Sequence, residues 1–282
     1  MLAPPPGFPT SITARDVVAL LDSAGIRRAV VLSVAYLYGS PSRTVDDEYA
    51  KVRADNDWTA AQAAQYPDRL RAFCGFNPMK EYALGELARC ARDPNLRHGI
   101  KLHFANADVQ LENPAHVERI APVFRAANDN RMAIVVHVRA NIGKQRPYGA
   151  AQARVFLEQL LPLVPDVPVQ VAHLAGTGPG YVDPPADSAM AFLAAAVERG
   201  DPRTKRLYFD VTGVADAALS PENGARMARR IRQVGVARIL YGSDAAAGGN
   251  LAPREAWAAF RRIPLTEDEF ARIAGNVAPY LR

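Results

Sequence analysis

The chain has 282 residues, 49% hydrophobic and 22% charged, enough to bury the core of one large α/β domain or two small ones. Its formal charge is +5, yet the 34 lysines and arginines are interspersed with 29 acids and form neither a run nor an aromatic-interleaved stripe, which argues against a nucleic acid partner. No apolar run approaches the ~20 residues of a membrane span, and the opening MLAPPPGFPT has neither the charged nor the apolar region of a secretory signal.

Two cysteines, Cys74 in a predicted strand and Cys90 in a predicted helix, do not make a disulfide framework. Reduced, buried thiols and a cytoplasmic setting are the expectation.

In chain order, residues 1–12 form a proline-rich segment ahead of one predicted domain over 13–282. The first helix lies in TARDVVALLDSAG, with Thr13 and Asp16 at capping-box spacing and Gly25 as its stop. Apolar runs then recur as RAVVLSV (28–34), LRAFCGFN (70–77), RHGIKLH (97–103), MAIVVHV (132–138), VPVQVAHL (167–174), RLYFDVTG (206–213) and ARILYGSD (237–244). All seven read as strands buried on both faces. Between them lie helical periods such as AHVERIAPVFRAANDN and ENGARMARRIRQVG, and the chain closes on TEDEFARIAGNVAPYLR, where Thr266 and Glu269 repeat the capping-box spacing.

Strict β/α alternation means a parallel sheet, either doubly wound or closed into a (β/α)8 barrel of TIM type. Spacing favours the barrel. Lys101, His137 and His173 stand 36 residues apart and Asp244 follows 71 later, each at or near the end of its strand, where a barrel gathers its catalytic side chains. A strand before the first helix would have to lie in MLAPPPGFPT, whose prolines cannot pair in a central strand. Strand one of the eight-stranded barrel is therefore expected to be missing or replaced.

With Lys101 in GIKLH, His137 in IVVHV, His173 in VAHLAG and Asp244 in YGSD, preceded by YPDRLRAFCGFNP and followed by GNVAPYL, the chain resembles the metal-dependent amidohydrolase superfamily, in particular its amidohydrolase-2 branch. The resemblance implies a divalent metal, foremost Zn²⁺, held by His137, His173 and Asp244. It also implies catalytic roles for Asp244 as general base, for His173 as a group polarising the substrate, and for Lys101 as a substrate contact or bridging lysine. In that family the first strand carries a His-x-His metal pair. This sequence contains none, its first histidine being His98, so two ligands would be absent together with their strand.

The chemistry asks for these residue types independently of the family. Such an ion takes imidazole nitrogen and carboxylate oxygen and lowers the pKa of a water to about 7, and an acid beside that water can move its proton. The loop RANIGKQRPYG carries Arg139, Lys144 and Arg146 on the same face. Arg139 and Arg146, with His103, are candidate contacts to a small anionic substrate, against the alternatives of a solvated basic loop and a surface histidine. His98 and His116 read as structural. GTGPGY (176–181) reads as a glycine-rich active-site loop, since Pro179 and Pro184 disrupt the helix a nucleotide fingerprint needs.

The reading is metal-dependent hydrolysis of a C–N or C–O bond, with non-oxidative decarboxylation, a Schiff-base lyase using Lys101, and a metal-free binding protein as alternatives. A small-molecule substrate is the expected partner, with homo-oligomer formation implied by the resemblance alone.

Overall fold

The computed structural model describes residues 12–178, 181–245 and 250–282. The proline-rich opening segment, apart from Ile12, and the middle of GTGPGY lie outside the described residues. Among those described, seven strands run parallel in chain order: β1 (Ala29–Leu32), β2 (Leu70–Gly75), β3 (Gly99–His103), β4 (Ala133–His137), β5 (Val169–Val171), β6 (Leu207–Asp210) and β7 (Ile239–Leu240). Each falls inside a predicted apolar run.

The connections carry α1 (Ala14–Ser23), α2 (Glu48–Ala64), α3 (Ala83–Arg92), α4 (Phe104–Ala107), α5 (Pro114–Asp129), α6 (Ala150–Val155), α7 (Pro184–Glu198), α8 (Pro221–Val234), α9 (Pro253–Phe260) and α10 (Glu267–Gly275). The helix ends obey their sequence signals. Thr13 and Thr266 both close capping boxes, and Gly25 and Gly235 end α1 and α8 at φ of 67° and 84°, values that side chains with a Cβ rarely adopt. No helix of the described residues is long and apolar enough to cross a membrane.

The sheet curls so that alternate residues face inward. Phe73, Ala133 and Val135 pack with Val30, Leu32 and Tyr280 inside it, while the opposite parity, such as Ile100, Leu102, Ile134 and Val136, joins the larger core under the helices. Gly99 belongs to the inner set for a steric reason. A Cβ there would lie 2.3 Å from the Phe73 ring, so the missing side chain lets that ring fill the interior.

No pairing joins β7 to β1 among the described residues, which matches the expected absence of one barrel strand. A cleft of about 780 Å³ opens along this seam, lined by β1, by residues 240–245 and by α1, and it reaches Lys101, His173 and Asp244 at the strand ends. The turn Pro279–Leu281 contributes Tyr280 and Leu281 to its lining. Leu281 O accepts a hydrogen bond from Arg28 (2.9 Å), and Tyr280 packs edge-on against Phe73 with centroids 5.0 Å apart.

The cysteines correct the sequence reading. Cys74 and Cys90 form a disulfide because the fold brings Cys74 of β2 beside Cys90 of α3, their Cα atoms 6.3 Å apart, within bridging distance. The argument for a cytoplasmic setting from reduced thiols falls with it.

Candidate active site at the strand ends

Lys101 and His103 are two residues apart on β3, so both point inward. The β3–β4 register pairs His103 with His137 and Lys101 with Val135. That pairing stacks the two imidazoles, with centroids 4.0 Å apart and planes 16° from parallel. His173 meets the other side of His137 edge-on at 5.2 Å. Burial, reinforced by the neighbouring cations, holds both His103 and His137 well below the usual imidazole pKa. Both are therefore neutral near pH 7. Burial likewise lowers the Lys101 pKa, opposed by the charges of Asp244 and Asp210.

Hydrogen bonds assign the imidazole tautomers. The Asn106 backbone N–H donates to His103 Nδ1 (3.2 Å), which leaves His103 Nε2 carrying the proton as a donor. His173 Nδ1 lies 2.8 Å from Thr212 O, an oxygen that only accepts, so Nδ1 carries a proton there and, in the neutral ring, the lone pair is on Nε2. His137 differs from both. Its two ring nitrogens are buried and neither has a hydrogen-bond partner, an arrangement that costs roughly 1–3 kcal/mol if nothing satisfies it.

His173 does not stand in a strand. β5 ends at Val171, and His173, Leu174 and Ala175 follow with φ of 55°, 47° and 63°, a left-handed path that disfavours residues with a Cβ by about 1–2 kcal/mol each. Three acceptors and donors clamp it. Asp210 Oδ1 accepts from His173 N (2.9 Å), Tyr181 Oη donates to Leu174 O (3.1 Å), and Tyr148 Oη donates to Ala175 O (2.8 Å).

Asp244 also departs from expectation. β7 ends at Leu240, and Asp244 sits four residues further on with φ 55°, exposed, its carboxylate accepting from Asn250 Nδ2 (3.2 Å). It lines the seam cleft together with Lys101 and His173. Glycine before it has a steric reason: a Cβ on Gly242 would lie 2.3 Å from Thr212 Oγ1, so glycine lets this loop approach the turn that orients His173.

The fit to a divalent ion rests on His137 and His173. A buried, neutral, partnerless imidazole beside a second imidazole with a free lone pair suits an N-ligated ion. Asp244 does not yet close the set. Among the described residues the one acidic, histidine or cysteine trio with ligand atoms all within 4.8 Å is Cys74, Glu86 and Cys90, and there the two sulfurs are joined to each other.

Two predicted substrate contacts are engaged elsewhere. Arg139 is buried, ion-paired with Asp183 and set 4.7 Å from the centroid of the Tyr148 ring. Arg146 pairs with Asp108 at 2.9 Å, as does Lys144. The loop is thus neutralised by acids that sequence spacing did not connect to it. His103, conversely, is no surface residue: it belongs to the imidazole stack, and its two-residue offset from Lys101 was the signal. Asp210, inside RLYFDVTG, was missed although an acid closing an apolar run is the same signal that marked Asp244. Tyr36, whose ring lies 5.0 Å from that of His103, and Asp55, which accepts from Ser33 Oγ at 2.6 Å, carried no local signal. Burial raises the pKa of both, with Asp244 and Asp55 adding to the shift at Tyr36.

The amidohydrolase family profile matches residues 35–278. The chain belongs to this family. No curated relative matches the sequence, but solved structures of similar fold are numerous. The amidohydrolase fold of this chain is similar to 5-carboxyvanillate decarboxylase LigW from Sphingomonas paucimobilis, with TM-score 0.65 and 16% identity over 94% of this chain and 82% of that one. It is similar also to LigW2 from Novosphingobium aromaticivorans, a variant solved with bound manganese (TM-score 0.58, 16% identity, 94% and 79% covered). A third is a probable 2-pyrone-4,6-dicarboxylic acid hydrolase from Acinetobacter baumannii, solved with citric acid (TM-score 0.59, 18% identity, 96% and 88% covered).

Proposed function

We propose that this amidohydrolase-family chain is a metal-dependent enzyme that hydrolyses a C–N or C–O bond in a small, carboxylate-bearing molecule. The observation that carries the reading is His137, buried and neutral with both nitrogens unpartnered between two other imidazoles. His137 and His173 Nε2 would hold the ion, with Asp244 as its carboxylate ligand. When bound, a divalent ion such as Zn²⁺ or Mn²⁺ supplies Lewis acidity and lowers the pKa of water to about 7.

The other groups have separate tasks. Lys101 and the His103 Nε2–H orient the anionic end of the substrate. Asp244, reached from the cleft, takes the proton of the attacking water and returns it to the leaving group. Arg139 and Arg146, already ion-paired, shape the rim. Decarboxylation is the second reading, favoured by the decarboxylases among the similar structures; there the substrate carboxylate leaves as CO2 and Asp244 in its acid form delivers the proton that replaces it.

The test is Mn²⁺ and Zn²⁺ titration by calorimetry on wild type and His137→Ala. About one ion per chain, with affinity lowered at least tenfold in the variant, is expected; equal affinity in both would remove His137 from the ligand set. With the loaded enzyme, aromatic hydroxy acids and lactone dicarboxylates separate the reactions, since decarboxylation releases CO2 and hydrolysis incorporates solvent ¹⁸O into the product.

A further inference from the structure

A continuous hydrogen-bonded chain runs from the seam to His173. Tyr280 Oη donates to Gln170 Oε1, and Gln170 Nε2 donates to Asp210 Oδ2 (2.6 Å). The other oxygen of Asp210 accepts from the backbone N–H groups of His173 (2.9 Å) and Thr212 (3.1 Å), and Thr212 O in turn accepts from His173 Nδ1. Asp210 is thus the hub that holds both the strained backbone of His173 and the carbonyl that selects its tautomer.

Gln170 gives the chain its direction. Its amide has one carbonyl and one NH2, and Asp210, as a carboxylate, only accepts. Gln170 must turn its NH2 toward Asp210, so its oxygen faces the barrel interior, where a donor is required. The Tyr280 hydroxyl is that donor, and burial keeps it protonated by raising its pKa. Without it, Gln170 either leaves a buried carbonyl unpaired or flips and sets oxygen against oxygen at Asp210. The ring is placed by its edge contact with Phe73 and by the Arg28 bond to Leu281 O, independently of the site.

We propose that Tyr280 is a positioning residue for His173, acting through Gln170 and Asp210 to hold the imidazole with Nδ1 protonated and Nε2 turned to the site. The inference rests on the reading of His173 as a metal ligand for its purpose, though not for its geometry. It therefore has a readout in the metal-free protein.

Long-range ¹H–¹⁵N spectra resolve the tautomer of each of the five histidines, with His173 assigned by His173→Gln. Wild type is expected to show His173 protonated at Nδ1. Tyr280→Phe, which keeps the ring, and Gln170→Met, which keeps the volume, are expected to give a mixture of tautomers. Each should weaken Mn²⁺ binding by about threefold to tenfold, short of the roughly 10–100-fold typical of a group bonded directly to a ligand. The double variant should match Gln170→Met alone.

A wild-type tautomer in both Tyr280→Phe and Gln170→Met would overturn the proposal. Failure of every form to bind Mn²⁺ would count against the metal reading alone, because the tautomer judges Tyr280 without it.

Discussion

At the scale of single residues, the cleft separates groups that hold from groups that react. Lys101 and His137, both buried, and the half-buried His103 are fixed by strand parity and register and unable to move without moving β3 or β4. Asp244 is the contrary case, exposed in a loop with one side-chain contact to Asn250. A proton carrier must reach water and substrate alternately, and a loop acid can do so where a strand acid cannot. Asp244→Asn is accordingly expected to abolish turnover while leaving the unfolding free energy within the about ±0.5 kcal/mol of ordinary surface changes. Retained turnover would remove Asp244 from the proton path, and a large loss of stability would make it a structural residue instead.

At the scale of elements, the disulfide and one ion pair tie helices to their neighbours. Cys74 and Cys90 close a loop between residues 16 apart, which chain-entropy reasoning values at about 3 kcal/mol. Denaturation with and without reductant should differ by that order, a thiol count on the oxidised protein should be zero, and a reductant-independent midpoint would contradict the bridge. α10 is held to α8 by Arg232, whose guanidinium donates twice to Glu269 (2.7 and 2.8 Å). With the Thr266 cap, this pair holds the Glu269 pKa at about 2, below its ordinary 4.5. A depressed carboxylate contributes its stabilisation in full above the unfolded pKa and loses it as pH falls through the folded one. The deficit of Glu269→Gln, about 0.5–1 kcal/mol at pH 6 for an exposed pair and cap, should therefore shrink between pH 4.5 and 2. A deficit constant across that window would assign it to packing. These elements also mark the limits of sequence reading. α1, α8 and α10 were legible because caps and glycine stops are local signals. The disulfide was not, since β2–α3 packing is a tertiary fact, and neither was the left-handed His173–Ala175 turn, whose residues include no glycine and which exists only because Asp210, Tyr148 and Tyr181 arrive from other elements.

At the scale of the whole molecule, the seven strands were legible as continuous apolar runs, and the 36-residue recurrence of Lys101, His137 and His173 exposed the barrel before any coordinate did. The seam was legible only as a deficit of one strand. Its physical consequence is an edge. The amides of Ala29 and Ser33 donate to Arg69 O (2.9 Å) and Phe73 O (3.1 Å) on the β2 side, and in a parallel ladder alternate residues donate to the same neighbour. Val30 and Leu32 therefore aim their N–H groups at the cleft, and every residue of β1 is only partly buried. Unpaired edge amides exchange with solvent on local opening, whereas paired interior ones wait for larger unfolding events. Hydrogen exchange should accordingly alternate along β1, fast at Val30 and Leu32 and slow at Ala29, Val31 and Ser33, with uniform protection in β3 and β4, which are paired on both sides. Equal protection at Val30 and Val31 in solution would mean that a further strand or segment covers the seam, and the cleft at Lys101, His173 and Asp244 would then open only at the strand ends.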